Sequence, residues 1–289
     1  EARGDEGAMR LTLQRAADLD PRGSLGARLQ LRLARLAGED ADARRTHLEK
    51  AISLDPANEE ASVALLEQAK TEKRWDLVAS LLEAASERAP DDEHKRKLAL
   101  ERVDILTHKL GDTEGALMVL AAIYGQVNDD IDVNRRIADA LFTAGRMEEA
   151  GGMFHWLVET TSGKRTKRRG HYLTRLARVE IQMGQTEEAQ KRLEEAYRLD
   201  TTNVETLIAL GSLHEANKKW ADALKIYRSM LLQNADKSGL LRRGDIYLSL
   251  ARVHMGLNEK PKAQAMLRRG IEEDGDHPEL KQMLEQLGG

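Results

Sequence analysis

A frame of small and large apolar residues recurs along this sequence at intervals of 32 to 40 residues, and it constrains the fold more than any local motif. In one clear copy, Ile137 and Leu141 share the face of one helix, and Ala150 and Phe154 share the face of a second. Gly145 stands between them, where a residue that tolerates left-handed backbone ends the first helix at little cost. Each copy of the frame therefore predicts a helical hairpin.

The residue composition favours helices as well. The 289 residues are 33% charged and 41% hydrophobic but only 3% aromatic, with five prolines. Leu, Ala, Glu, Arg, Lys and Gln are abundant and are good helix formers, whereas the aromatic and β-branched residues typical of strands are scarce. We therefore expect an all-α protein.

About seven copies of the frame cover nearly the whole chain, which we interpret as a single solenoid over residues 1–289. The copies begin near residues 27, 59, 97, 131, 170, 204 and 244. We expect residues 1–23 to be the second helix of a partial repeat and residues 278–287 to be a capping helix. From residue 59 the intervals are 38, 34, 39, 34 and 40, and we place the extra residues (DEHKRK, RTKRRG and GLLRRG) before the first helix of alternate units.

The small positions, the glycine turns and the turns with Asp-Pro, such as SLDPAN, agree in register across these units and resemble the tetratricopeptide repeat (TPR). The resemblance implies a right-handed α–α superhelix that acts as a non-enzymatic protein–protein interaction scaffold. The Arg-, Ala- and Leu-rich phrasing, such as SLDPANEEA, is similar to that of large scaffolds of gliding delta-proteobacteria. That likeness implies a role in bacterial motility or cell polarity and a Ras-like small GTPase as a partner.

In the TPR family the first helix of each unit lines a concave groove, and this implies which side chains bind the partner. On this chain the matching positions carry Arg102, Lys109, Arg135, Arg136, Phe142, Arg175 and Arg178. The groove is therefore expected to be basic and to bind an acidic protein surface or segment, because guanidinium groups donate to carboxylates in bidentate fashion. Phe142 in the groove and Trp156 on a second helix are candidate aromatic anchors.

A second basic feature lies between Thr160 and Val179, where seven Lys or Arg residues occur without an Asp or Glu. Its densest part contains Lys164, Arg165, Lys167, Arg168 and Arg169. We expect this cluster to steer an acidic partner toward the protein. The alternatives are that it binds nucleic acid or another anionic surface, or that it is simply a solvated start of a helix in a structural spacer.

No pattern in the sequence indicates catalysis. There is no cysteine, the eight histidines are scattered, and the motifs HExxH, GxSxG, GxGxxG and a complete phosphate loop are lacking. We therefore expect no enzymatic activity, cofactor, metal or small-molecule substrate, and no membrane span. A cytoplasmic protein fits the lack of cysteine. A periplasmic location stays open, because the chain enters the repeat pattern halfway through a unit and reads as a fragment of a longer protein.

Overall fold

The computed structural model describes residues 2–19 and 23–288, and the regular structure within these ranges is helical. The α-helices there are α1 (Ala2–Asp18), α2 (Gly23–Leu36), α3 (Ala41–Leu54), α4 (Glu59–Thr71), α5 (Trp75–Glu87), α6 (Asp92–Ile105), α7 (Thr113–Tyr124), α8 (Ile131–Thr143), α9 (Met147–Thr160), α10 (Lys167–Gln182), α11 (Thr186–Leu199), α12 (Val204–Ala216), α13 (Trp220–Leu232), α14 (Arg243–Gly256), α15 (Lys260–Glu273) and α16 (Pro278–Gln286). An all-α fold, as predicted, is thus confirmed.

The helices divide into two compact units, Glu1–Ala144 and Gly145–Gly289. Within each unit, a helix packs mainly against the helices that precede and follow it in the chain. Helical hairpins such as α2–α3 in unit 1 and α10–α11 in unit 2 are formed in this way. The reading of the whole chain as one solenoid stays a prediction, and residues 20–22 of the predicted partial repeat lie outside the described residues.

Small residues allow the helices of unit 1 to approach each other closely. Ala27, Ala51 and Ala61, on three successive helices, are fully buried together with Leu48 and Leu65. Because an alanine adds only one methyl group to the helix surface, the larger leucines can fill the space around it. The recurring small positions of the sequence are therefore packing positions.

A continuous cluster of buried residues forms the core of unit 2 and extends from Ala177 to Leu280. It includes Leu193, Leu207, Tyr247 and other side chains of six hairpin helices, α10 to α15, and Leu280 joins α16 to it. The same helix is attached at its start, since His277 Nε2 lies 2.9 Å from the Asp245 carboxylate of α14. The apolar side of α16 is thus covered by the last hairpin.

The turns inside the hairpins take left-handed backbone where the frame requires it. Gly145 and Gly184 have φ values of 75° and 79°. At the equivalent turn before α13, Lys218 adopts φ 55°, and Asn258 before α15 adopts φ 59°. Glycine is therefore the cheapest residue at this turn but is not required there.

The extra residues of the long units differ from the prediction. All six residues of DEHKRK belong to α6, which begins at Asp92, and RTKRRG enters α10 at Lys167. Asp91 explains the early start of α6, because its side chain accepts a hydrogen bond of 2.8 Å from the backbone N–H of His94. Only before α14 do most of the extra residues lie in the connection, since that helix begins at Arg243.

Candidate functional site

A hollow on the first helices of unit 2 lies between α10 and α12. This α10–α12 cavity has a volume of about 570 Å³. Its lining comprises Arg178, Ile181, Gln182, Thr186, Glu205, Ile208, Ala209, Ser212, Leu213, Ala216 and Leu240. The residues from α12 recur at intervals of three and four and therefore share one helical face.

The local sequence explains why space is left at this point. Ala209, Ser212 and Ala216 are small, so the α12 face does not fill the gap toward α10. Ile208 and Ile181 supply an apolar floor that is only partly buried. Leu240, in the connection before α14, also lines the cavity and leaves 54% of its surface exposed. An apolar side chain of a partner would pack against apolar residues here.

Charged side chains stand at the edge of the cavity. Arg175 and Arg178 lie on one face of α10, and their guanidinium nitrogens are 3.2 and 3.7 Å from the Glu205 carboxylate of α12. The Arg178 side chain is 40% exposed, whereas Glu205 is 20% exposed. Of the groove residues implied by the sequence, these two arginines are brought together beside a cavity.

The predicted groove arginines of α8 are engaged with carboxylates of unit 1. Arg135 bonds to Asp132 and Asp139 of its own helix, and Arg136 bonds to Asp132 and to Asp104 of α6. Partial burial acts to raise the pKa of Asp132, but hydrogen bonds from the two arginines hold it below its usual value. The expectation of a basic surface at this place omitted these acidic partners.

The remaining predicted groove residues are also in contact with neighbours. Arg102 donates to Glu83 at 2.7 Å, and Lys109 Nζ lies 5.3 Å from the centre of the Trp75 ring. Phe142 is half-buried in α8. Trp156, the second candidate anchor, is half-buried in α9 of unit 2. A role in binding is untested for each of them.

The basic cluster before α10 separates into exposed and buried members. Lys164, Arg165, Lys167 and Arg168 are exposed, and Lys167 lies 3.4 Å from Asp200. Arg169, in contrast, is only 8% exposed.

The buried Arg169 bonds to two other helices. Its guanidinium donates to the backbone oxygen of Val158 in α9 and to the Glu195 carboxylate of α11, the latter at 3.0 and 3.1 Å. Arg169 therefore differs from the expectation of an exposed steering residue, because its charge is used inside the fold.

Sequence reasoning missed the apolar members of the α10–α12 cavity. Ile181, Ile208 and Ala209 stand at the groove-facing positions of their units, so the repeat frame was the signal that could have indicated them. Leu240 lies outside the frame, and only the folded connection brings it to the cavity.

The buried histidines of unit 2 include His254 and His214. His254 lies 2.7 Å from Glu259, and burial lowers the pKa of His214, which is 6% exposed. Among the described side chains of residues 7–19 and 23–288, no group of three or more His, Asp or Glu is arranged to hold a metal ion. In the same ranges, no helix combines the length and the apolar character needed to cross a membrane.

Residues 175–241 match the sequence profile of the tetratricopeptide repeat family. A comparison with curated proteins gives no significant match. The fold is similar to YrrB, described as a TPR protein with an unusual peptide-binding site, at 16% identity, with 65% of this chain and 91% of that chain covered and a TM-score of 0.53.

Two further solved structures share the fold. A MamA fragment from Desulfovibrio magneticus RS-1 has 15% identity, covers 66% of this chain and 99% of its own, and gives a TM-score of 0.54. A tetratricopeptide repeat protein from Parabacteroides merdae has 13% identity, covers 91% of this chain and 99% of its own, and gives a TM-score of 0.51.

Proposed function

We propose that this chain is a tetratricopeptide repeat protein and that it is a protein-interaction scaffold whose unit 2 binds an acidic segment of a partner protein. The proposed site is the face of α10 and α12 around the α10–α12 cavity. Arg175 and Arg178 exchange part of their pairing with Glu205 for the carboxylates of the partner, and the apolar floor of the cavity receives a neighbouring side chain. The protein takes no part in catalysis.

One observation carries this proposal, namely that an open apolar cavity and two arginines occur together on the first helices. Guanidinium groups bind carboxylates through paired hydrogen bonds, which fixes the orientation of a bound segment. Apolar side chains that leave water strengthen binding without regard to direction. YrrB, which shares the fold, is described as having a peptide-binding site, and this supports a peptide as the occupant.

The exposed cluster Lys164–Arg168 supports the same function in a different way. Its cations increase the rate at which an acidic partner approaches, and this effect weakens as salt is added. Arg165→Glu with Arg168→Glu should therefore slow association while leaving dissociation nearly unchanged. An unchanged association rate would argue against steering.

The identity of the partner is proposed from the style of the sequence. We assign the protein to bacterial motility or polarity machinery in the cytoplasm, with a Ras-like GTPase as a partner. Binding of the purified GTPase in only one nucleotide state, measured by surface plasmon resonance, is the expected result. Equal absence of binding in both states would reject this assignment.

The groove proposal is tested by selecting ligands from a random peptide library displayed on phage. Wild-type protein should enrich peptides rich in Asp and Glu, and Arg175→Glu with Arg178→Glu should abolish that enrichment. Arg228→Glu with Arg268→Glu is the matched control, because both residues are exposed and lie on second helices of the same unit. Enrichment of basic or neutral peptides by the wild-type protein would contradict the proposal.

A further inference from the structure

A second hollow in unit 2 has a lining different from that of the α10–α12 cavity. It lies where the connection between α9 and α10 meets the end of α11, and its volume is about 390 Å³. We call it the α11 hollow. It is lined by Gly163, Lys164, Arg165, Arg169, Glu195, Arg198 and Leu199. The two hollows share no residue.

The charges around the α11 hollow are strongly unbalanced. Four of its seven lining residues are cations, and Glu195 is the one carboxylate among them. Glu195 already accepts two hydrogen bonds from the buried Arg169. The exposed side chains of Lys164, Arg165 and Arg198 therefore surround a space in which the one lining carboxylate is already bonded to Arg169.

The helix that begins beside the hollow adds to this imbalance. The first turn of α10 carries no acidic residue, whereas the first turns of α9, α11 and α12 do. The start of a helix has a partial positive charge, so lysine and arginine there destabilise the helix when no anion is near. Lys167 of this turn lies 3.4 Å from Asp200 and Arg169 is bonded to Glu195. The positive charge left for a bound anion is therefore that of Lys164, Arg165, Arg198 and the helix start.

We propose that the α11 hollow binds a phosphoryl group on a phosphorylated side chain of a partner protein. A phosphate monoester carries close to two negative charges at neutral pH and offers three acceptor oxygens, which matches three converging cations better than one carboxylate does. The choice of a protein rather than another carrier rests on the proposed scaffold function.

The lining of the hollow contains no aromatic ring, and this favours a protein over nucleic acid as the partner. Binding of single-stranded nucleic acid uses exposed aromatic rings on which bases stack. None of the residues that line the hollow is aromatic, and the nearby Tyr172 of α10 is fully buried. Binding of a phosphorylated side chain requires only cationic side chains, which the hollow provides.

The test compares two capped tripeptides, acetyl-Ala-phosphoserine-Ala-amide and the same peptide with serine, titrated into isotope-labelled protein and followed by NMR. The phosphorylated peptide should shift the amide signals of residues 163–169 and of Arg198, and the serine peptide should not. Arg165→Glu with Arg198→Glu should weaken binding at least about tenfold, since two charge-assisted contacts are lost. Equal shifts by both peptides would overturn the inference.

Matched charge variants separate the hollow from a general attraction to positive charge. Lys191→Glu with Arg228→Glu changes the net charge equally, and neither of these exposed residues lines the hollow or belongs to the cluster Lys164–Arg168. This control should bind the phosphopeptide nearly as well as wild type, and Arg165→Lys with Arg198→Lys should keep most of the affinity. Equal weakening of phosphopeptide binding by the control would reject the site. The site would also be rejected if a DNA 20-mer bound more tightly than the phosphopeptide and both the control and Arg165→Glu with Arg198→Glu weakened DNA binding equally.

The groove variant Arg175→Glu with Arg178→Glu distinguishes this inference from the proposed function. If the α11 hollow binds the phosphoryl group, this variant still binds the phosphopeptide while it loses the acidic library peptides. Selection of acidic peptides without any binding of the phosphopeptide would overturn the hollow alone. Binding of the phosphopeptide without selection of acidic peptides would overturn the groove alone.

Discussion

At the scale of single residues, Arg169 shows that a charge within a basic run can be structural. It lies among four exposed cations in the sequence, yet it is buried and bonded to α9 and α11. It donates to the Val158 carbonyl in the last turn of α9, which also accepts a hydrogen bond of 3.3 Å from the Thr161 hydroxyl. The residue therefore connects three helices.

Replacing this residue should destabilise the protein. Arg169→Ala removes the hydrogen bonds to Val158 and Glu195 and leaves the Val158 carbonyl with only the 3.3 Å bond from Thr161, at a cost of about 1–3 kcal/mol. Urea unfolding followed by far-UV circular dichroism measures the loss. The exposed neighbour variant Arg168→Ala should change the stability by less than about 0.5 kcal/mol. Equal effects of the two variants on stability would show that Arg169 does not stabilise the contact between the three helices.

A second residue-scale prediction concerns pH. Hydrogen bonds from Tyr247, at 2.6 Å, and from Arg243, together with one from Arg269, lower the pKa of Glu273 from its usual 4.5 to about 2. A carboxyl group with a depressed pKa in the folded state contributes stability above its unfolded pKa and loses it as the pH falls. This contribution is thus complete above about pH 5 and disappears toward pH 2.

Glu273→Gln should consequently be less stable than wild type at pH 7, and the difference should shrink as the pH is lowered from 5 toward 2. Unfolding by urea at a series of pH values measures it. Glu272→Gln, at the exposed neighbouring position, should follow the wild-type curve throughout. A difference between Glu273→Gln and wild type that does not change with pH would contradict the assignment.

How far single residues can be predicted from sequence depends on where their partners lie. Asp132 and Asp139 stand three and four residues from Arg135, so helical spacing alone could have indicated these ion pairs. Asp104, which bonds to Arg136, is 32 residues away, and no local rule connects the two. The basic character assigned to this part of the groove was overestimated for that reason.

At the scale of helices, close packing depends on particular glycines. Gly211 of α12 is buried against the Tyr227 ring of α13, and a Cβ atom there would lie 2.7 Å from ring carbon Cε1. The ring cannot move away easily, because Tyr227 donates a 2.9 Å hydrogen bond to Glu215. The hairpin α12–α13 therefore requires glycine at this position.

Two glycine substitutions should consequently have opposite effects. Gly211→Ala should destabilise the protein by about 1–3 kcal/mol, because overpacking exceeds the gain in helix propensity. Gly152→Ala, in the exposed part of α9 with no atom within 4 Å of the new methyl group, should stabilise it by about 0.5–1 kcal/mol. Thermal and urea unfolding check both. Stabilisation by Gly211→Ala would show that the two helices are not in the close contact described.

The helices themselves were more predictable than their starts. The hairpins follow from small and large residues that repeat in one register, a pattern that only packed helices need. The start of α6 was placed too late because DEHKRK contains no apolar residue, so hydrophobic periodicity gave no signal there. The Asp91 cap and the acidic first turn were the available signals.

At the scale of the whole molecule, the two units are stabilised by differently built cores. In unit 2, eight residues of α14 are buried, and they belong to or adjoin the continuous cluster from Ala177 to Leu280. At the start of unit 1, α1 buries Leu13 and Ala17 among its described side chains, while Met9 and Leu11 are more than half exposed. Local stability should therefore increase strongly from α1 to α14.

Hydrogen exchange followed by mass spectrometry measures this gradient. Amides of α1 should exchange at least about a hundredfold faster than those of α14, because local opening requires less free energy where few apolar contacts are broken. Peptides from α4, with the buried Ala61 and Leu65, should fall between the two. Equal protection of α1 and α14 would indicate a uniformly cooperative fold.

Packing between helices that follow one another in the chain also affects how the protein is made. Within each unit, the partners of a helix are those synthesised just before and just after it. Contacts between segments close in sequence form quickly, since little loop entropy is lost in bringing them together. Each hairpin can thus close soon after it leaves the ribosome and offer the next helix a surface while translation continues.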